Sequence, residues 1–192
     1  MDTYDAIMKR RSVRRYTDKA VDDQTVEKIM QAAMYAPSAV NFQPWYYVVI
    51  KSREKMAEFV KIMDEVADKN IPGLKDRFKS HPEIVAESDY FIRYLGKAPV
   101  CILAFEHKKE YSKSESSIVQ SVAVSIENIL LAATEFGLGS CYLTAPLEAG
   151  LDGRIQEKYA PDKGKLVALV TIGYAETIPQ APRRKEGRYV II

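Results

Sequence analysis

The chain has few of the residues that usually carry metal sites or redox-active thiols. Its 192 residues include two cysteines, Cys101 and Cys141, and two histidines, His81 and His107. The cysteines have no CxxC spacing, and the histidines are not spaced as ligands, so the sequence predicts no zinc site. With no secretory signal at the N-terminus, we interpret both cysteines as reduced, buried thiols of a cytoplasmic protein.

Several nucleotide-binding and catalytic motifs are also missing. The segment Gly137-Leu138-Gly139 follows a predicted helix rather than a strand and lacks a third glycine, so it is not a dinucleotide-binding loop. There is no GxxxxGK[ST] loop and no convincing Ser-His-Asp or Cys-His set. An enzyme without such side chains usually takes its chemistry from a cofactor.

The overall charge and hydropathy exclude two further classes. Lysine and arginine total 28, aspartate and glutamate 26, and the formal net charge is +2. General nucleic-acid binders carry a larger basic excess, so we expect no nucleic-acid partner. No apolar run approaches the roughly 18 residues that span a bilayer, so we expect no membrane partner. The 47% hydrophobic content suits a single domain over residues 1–192.

A basic cluster stands out against this balanced background. Five of the eight residues 9–16, Lys-Arg-Arg-Ser-Val-Arg-Arg-Tyr, are cationic. Like charges so close repel one another, and a bound anion relieves that repulsion. Arginine forks match phosphate oxygens, although a solvated basic turn remains the alternative interpretation. A second basic cluster lies at residues 183–185.

Hydrophobic periodicity predicts an α+β fold with helices packed on a mixed central sheet. Helices are predicted over residues 3–9, 53–69, 118–136 and 152–159. A further helix is predicted to begin at a cap, Asp22 or Asp23, and to end at Pro37. The predicted strands cover residues 45–50, 100–105, 141–144 and 166–174. The unbroken apolar run at 45–50 predicts a strand buried on both faces. The apolar tail, residues 189–192, could join the sheet as an edge strand.

Three features leave alternatives open. The helix over residues 118–136 is apolar on nearly every face, which fits a subunit interface or an intramolecular core. Residues 74–96 fit helical turns in a mobile cover or a surface excursion with no direct role. The aromatic side chains Tyr90, Phe91, Tyr94 and Tyr111 could line a substrate pocket or pack ordinarily.

Several motifs, taken in order, resemble the nitroreductase family of flavin enzymes. The resemblance covers nearly the whole chain, and its motifs lie at residues 10–16, 36–45, 128–141, 170–174 and 182–185. It implies a nitroreductase-like α+β fold and an intertwined homodimer in which a long central helix forms the core. Two FMN molecules would lie in the interface. The sequence departs from the family pattern at Ser121, where many members are acidic, and at Ala39-Val40, where Ser-Gly is commoner.

The resemblance also implies a set of FMN-binding residues. Arg10 and Ser12 match positions that hold the phosphate and ribityl chain, and Arg14 matches the cation near flavin N1 and O2. Residues 143–145 match the turn whose backbone approaches flavin N5. The full cofactor-binding set is Arg10, Arg11, Ser12, Arg14, Pro37, Ser38, Ala39, Asn41, Gln43, Leu143, Thr144, Ala145, Arg183, Arg184 and Lys185. No protein side chain is predicted to be catalytic, because FMN carries the chemistry.

The implied activity is FMN-dependent oxidoreduction by a ping-pong mechanism. NADH or NADPH would be the reductant, and a nitroaromatic, quinone or similar small molecule the acceptor. A specialised member of the same fold, active in reductive dehalogenation or flavin breakdown, is one alternative. A non-catalytic flavin-binding protein is the other.

Overall fold

A computed structural model of the chain describes residues 1–107 and 115–192. The helices in these residues are α1 (Thr3–Lys9), α2 (Asp23–Met34), α3 (Arg53–Arg77), α4 (Pro82–Tyr94), α5 (Glu115–Glu135), α6 (Ala145–Glu148) and α7 (Asp152–Tyr159). The strands are β1 (Trp45–Ile50), β2 (Val100–Glu106), β3 (Gly139–Leu143) and β4 (Leu166–Gly173). Short 3₁₀ turns occur at Ala39–Asn41 and Leu95–Lys97. The α+β class predicted from the sequence is confirmed.

The four strands form one sheet in the order β1-β2-β4-β3. The prediction of a mixed sheet needs correction, because all three pairings between these strands are antiparallel. Parallel pairing is confined to an isolated bridge between Ser12 and Ser140. Each connection between strands runs through a helix or a long loop. Such connections are compatible with parallel and with antiparallel neighbours, so the order of elements alone could not predict the relative direction of the strands.

Helices cover both faces of the sheet, and β2 shows the division. Val100, Ile102 and Ala104 belong to a core shared with α2 and α5. The alternate residues Cys101, Leu103 and Phe105 belong to a second core shared with α3, α4 and α7. Alternation of this kind follows from the two-residue period of a strand. The central strands β2 and β4 are therefore nearly completely buried.

Helix α5 lies against the sheet and is fastened to α2 by polar side chains. Ser125 Oγ donates to the Ala33 carbonyl at 2.7 Å, and Asn128 Nδ2 donates to the Ala32 carbonyl at 3.0 Å. Val119 and Val124, on its other side, remain exposed. By length and composition alone this helix could cross a membrane, a criterion that the core helix of a soluble protein also meets.

Helix α3 is longer than predicted. The expected end at residues 70–73 is wrong, because the helix continues through Pro72 to Arg77. Proline removes one hydrogen-bond donor, but Pro72 lies on the exposed side of the helix. Ile71 is buried and Leu74 packs at the edge of the same core, so the apolar stripe continues. Packing on α4 thus outweighs the local cost of the proline.

Strand β1 is an edge strand, which corrects the prediction that both of its faces are buried. In the part of the chain that the structure describes it pairs with β2 alone, and four of its six residues are partly or fully exposed. The tail residues 189–192 lie in no strand and are highly exposed. Tyr111, a predicted pocket residue, lies outside the described residues.

Candidate functional site

The basic cluster runs beside β3. The Val13 N–H donates to the Ser140 carbonyl at 2.9 Å, next to the parallel bridge between Ser12 and Ser140. A side chain on Gly139 would collide with Val13, which shows how closely the two backbones approach. The segment is therefore held along the edge of the sheet rather than free in solvent.

Tyr16 fixes the far end of this segment. Its buried hydroxyl donates to the Val13 carbonyl at 2.7 Å and lies 2.8 Å from Thr171 Oγ1. Its main-chain N–H donates to the Gly96 carbonyl at 3.0 Å. Burial raises the pKa of the Tyr16 phenol well above its usual value, so the hydroxyl stays neutral. These bonds tie the segment to β4 and to the turn before β2.

The basic segment acts electrostatically on one buried thiol. Burial raises the pKa of Cys141, and nearby Arg14, a hydrogen bond with Ser12, and Arg10 act in the opposite direction. Arg10 Nε lies 3.4 Å from Glu127 Oε1 on α5. Among the described residues Arg14 forms no ion pair with a carboxylate; it lies over the Phe91 ring at 5.9 Å and donates to the Ser12 carbonyl at 3.4 Å. The site therefore presents positive charge that its own carboxylates do not fully neutralise.

The two remaining arginines of the segment have other contacts. Arg11 Nη1 donates to the carbonyls of Met8 and Arg10, at 2.7 and 2.8 Å. These bonds satisfy carbonyls at the end of α1, as a basic side chain near a helix C-terminus often does. Arg15 is exposed and stacks on Tyr90 at 4.3 Å. Arg11, which belongs to the predicted cofactor set, thus binds main-chain carbonyls of its own chain, and its contact with the cofactor stays a prediction.

The turn predicted to approach flavin N5 adjoins this cluster. Residues 143–145 connect the end of β3, two positions after Cys141, to α6. Ala145 is buried, and Leu143 and Thr144 are half-buried. Ser12 pairs with Ser140 near the start of β3, and Leu143 at its end packs against a buried cluster that includes Val13. The FMN contacts expected of this segment and this turn stay a prediction.

A loop at residues 37–43 carries five of the predicted cofactor-binding residues and stands apart from the basic cluster. Ser38 Oγ accepts from the Gln43 N–H at 2.9 Å, and Gln43 Nε2 donates to Asn41 Oδ1 at 3.0 Å. The Ala39 N–H donates to Ser121 Oγ on α5 at 3.3 Å. Exposed Pro37 precedes the loop. No recorded contact of the described residues joins this loop to Arg10, Ser12 or Arg14.

Val40 carries backbone strain in that loop. Its φ of +47° and ψ of +32° are left-handed, and a β-branched residue rarely adopts them. Asn41 and Gln43 are also left-handed. The side chain of Val40 is 95% exposed, so contacts within this chain do not compensate for the strain.

Replacing Val40 with glycine is expected to stabilise the protein by about 1 kcal/mol, because left-handed strain disappears without loss of packing. Thermal unfolding should show a rise of about 2–4 °C. Val40→Ala, which keeps a Cβ in the same conformation, is the matched control and should gain less. A fall in the melting temperature of Val40→Gly would contradict this expectation and indicate that a second subunit packs on the side chain.

The second basic cluster remains separate from the first. Arg183, Arg184 and Lys185 lie in the exposed tail, and Arg183 Nη2 lies 3.5 Å from Glu186 Oε1. Within the residues that the structure describes, no contact joins this cluster to Arg10, Ser12 or Arg14, and its expected role in cofactor binding stays a prediction.

The sequence did not predict that Glu87 and Ser121 contribute to the site, and it predicted Phe91 only as a possible pocket residue. Phe91 supports Arg14, and Glu87 is close enough to Cys141 to raise the pKa of its thiol. Both lie on α4, which the sequence did not define. Ser121, which holds the loop, was noted only as a departure from the family pattern.

Taken together, the sheet between two helical layers and the basic segment along its edge define an α+β protein with a cluster of cationic side chains beside β3. A family model described as the nitroreductase family matches residues 7–174. The chain belongs to this family.

Relatives and solved structures agree with this assignment. The chain is 29% identical over 180 residues to "Putative NADH dehydrogenase/NAD(P)H nitroreductase" of Methanothermobacter thermautotrophicus, covering 93% of this chain and 80% of that protein. It is 28% identical to "Iodotyrosine deiodinase" of Hydra vulgaris, covering 96% and 69%. A crystal structure from Desulfovibrio desulfuricans, described as a putative nitroreductase in complex with FMN, aligns with a TM-score of 0.73 and 25% identity, covering 100% and 96%.

Proposed function

We propose that this protein is an FMN-dependent oxidoreductase that works as a homodimer in the cytoplasm. The observation that carries the proposal is the course of the segment with Arg10, Ser12 and Arg14 along β3, where Ser12 pairs with Ser140. Leu143, in the turn that follows β3, packs against a buried cluster that includes Val13 of the same segment. The related structure in complex with FMN supports the choice of cofactor.

The donor set fits a flavin mononucleotide. Arg14 is half-buried and forms no ion pair with a carboxylate of residues 1–107 or 115–192, so it is available to bind an anionic group. Ser12 adds a neutral hydroxyl beside it. FMN has a phosphate, a neutral polar chain and a ring that gains negative charge. Cations and a hydroxyl in this arrangement are complementary to these groups.

Each residue has a distinct proposed role. Arg10 and Ser12 hold the phosphate and ribityl chain, and Arg14 stabilises negative charge at N1 and O2 of the ring. The backbone at 143–145 orients the ring edge at N5. Bound FMN supplies the redox chemistry, by ping-pong exchange between NADH or NADPH and a nitroaromatic, quinone or similar acceptor.

A second subunit would complete the site. Ser38, Asn41, Gln43 and the tail cations Arg183, Arg184 and Lys185 make no recorded contact with the basic segment of their own chain. We propose that some of them reach the flavin of the partner. Exposed apolar residues are available for a dimer interface: Tyr4, Ile7 and Met8 on α1, Val124 on α5, and Tyr189, Val190, Ile191 and Ile192 in the tail. The free edge of β1 can accept a tail strand from a second copy.

The similarity to proteins named iodotyrosine deiodinase favours one alternative substrate class. In reductive dehalogenation, an aryl carbon–iodine bond becomes a carbon–hydrogen bond. The change consumes two electrons and a proton and releases iodide. The same reduced flavin would supply the electrons, so the two candidates differ only in the acceptor.

An absorbance spectrum of the purified protein, before and after NADH or NADPH is added without oxygen, tests the proposal. We expect flavin bands that bleach on reduction and return when a quinone or nitroaromatic is added. Iodide release from an iodinated phenol under the same conditions would select the dehalogenation alternative. Bands that neither nucleotide bleaches would indicate a non-catalytic flavin protein. Failure to bind FMN when it is supplied would overturn the proposal.

A further inference from the structure

One side chain of α3 reaches the turn at 143–145. Asn70 Nδ2 donates to the Ala145 carbonyl at 2.8 Å. The same carbonyl accepts the main-chain N–H of Ala149 at 3.0 Å, within the first turn of α6. Asparagine is a weak helix former, and Asn70 is half-buried inside α3, so its amide serves the contact between elements rather than the helix.

The main chain of the turn is bonded, because the Thr144 carbonyl accepts the N–H groups of Leu147 and Glu148 at 2.9 and 3.4 Å, but it has few other side-chain restraints. Helix α6 has only four residues, and Thr144 at its N-cap makes no side-chain capping bond. Thr144 Oγ1 lies at 3.5 Å from Glu148 Oε1, the limit of a hydrogen bond. Removing the Asn70 amide would leave the Ala145 carbonyl with one fewer donor at a buried position.

The hairpin of α3 and α4 touches the site at two places. Asn70 on α3 holds the turn, and Phe91 on α4 lies beneath Arg14. Arg93 locks the two helices together, with its guanidinium bonded to Asp64, Asp68 and Asp89. A shift of this hairpin would therefore move both Arg14 and Ala145.

We infer that Asn70 is a positioning residue for the redox site. By holding the Ala145 carbonyl it fixes the backbone that orients the flavin ring, and it couples the α3–α4 hairpin to that contact. The inference rests on the proposed function, because the turn faces flavin N5 only if FMN binds there.

Asn70→Leu keeps the size of the side chain and removes its donor. We expect the preference for reduced over oxidised FMN to fall three- to tenfold, about 14–30 mV at 29.6 mV per tenfold. Amide hydrogen exchange of residues 145–149 in the FMN-free protein should speed up at least tenfold. Asn70→Ser, a smaller change, should give the same trend if the leucine variant fails to fold.

Lys69→Met is the matched control. Lys69 Nζ donates to the Ala149 carbonyl at 3.3 Å, so this variant also loses a bond from α3 to the region of α6, but at an exposed position beyond the turn. It should leave the potential and the exchange of residue 145 unchanged. If a folded, FMN-bound Asn70 variant shows the wild-type midpoint potential and the wild-type amide exchange, this inference is overturned and the proposed function is not affected. A wild-type protein that binds no FMN would overturn the proposed function, while the exchange measurement would still report whether Asn70 holds the turn.

Discussion

Replacing Gly96 with alanine is expected to destabilise the protein by about 2–4 kcal/mol. Gly96 has a φ of +60°, and a Cβ there would lie 2.2 Å from the Arg14 carbonyl oxygen and 3.3 Å from Phe91 Cδ2. The obstacle is backbone, so it cannot rotate away, and the segment carrying Arg14 must shift. Urea unfolding of the two proteins measures the loss, and FMN affinity should fall with it because Arg14 moves.

Gly73→Ala is the control for this experiment. Gly73 lies within α3, and a Cβ there would meet nothing within 4 Å. Alanine should stabilise the helix by up to about 1 kcal/mol. If Gly96→Ala unfolds at the wild-type urea concentration and binds FMN normally, the backbone at Arg14 is free to move and the close approach is not required.

Replacing Arg14 with alanine is expected to weaken FMN binding about 10- to 100-fold, the loss of one charged hydrogen-bonding partner. The reduced cofactor should lose more affinity than the oxidised form, because it carries the extra negative charge. The midpoint potential should therefore fall by about 30 mV for each tenfold difference between the two losses. Equilibrium FMN titration and a potential measurement test both expectations.

Arg15→Ala provides the comparison for Arg14. It removes the neighbouring cation, which stacks on Tyr90 at the exposed side. Net charge changes equally in both variants, so a general effect of charge would appear in each. Wild-type flavin content and potential in Arg14→Ala, with a folded protein, would show that Arg14 is not at the ring.

The local elements were the most predictable part of the fold. The cap at Asp22 accepts from the Thr25 N–H at 2.8 Å, and α2 begins at the next residue as expected. The helix over residues 118–136 corresponds to α5, and the helix over 152–159 to α7. These signals depend on neighbours within a few positions, which a sequence displays directly.

Elements that depend on distant partners were predicted less well. The residues of β1 are apolar enough for a central strand, but their exposure is set by the place of β1 at the sheet edge. Helix α4 was not defined, and α3 was ended too early, because each is stabilised by packing on the other. The antiparallel strand direction likewise follows from the path of the connections.

The sequence by itself determined the α+β class, the family resemblance and the basic segment with Arg10, Ser12 and Arg14, because these follow from residue types at short spacing. Only the tertiary structure decided which of the predicted residues meet. It placed that segment along β3, with Leu143 packed against the cluster that includes Val13, turned Arg11 toward the end of α1, and left the loop around Val40 apart. It also revealed Asn70 and Gly96, whose contacts join residues far apart in the chain, and such contacts are fixed by packing rather than by local pattern.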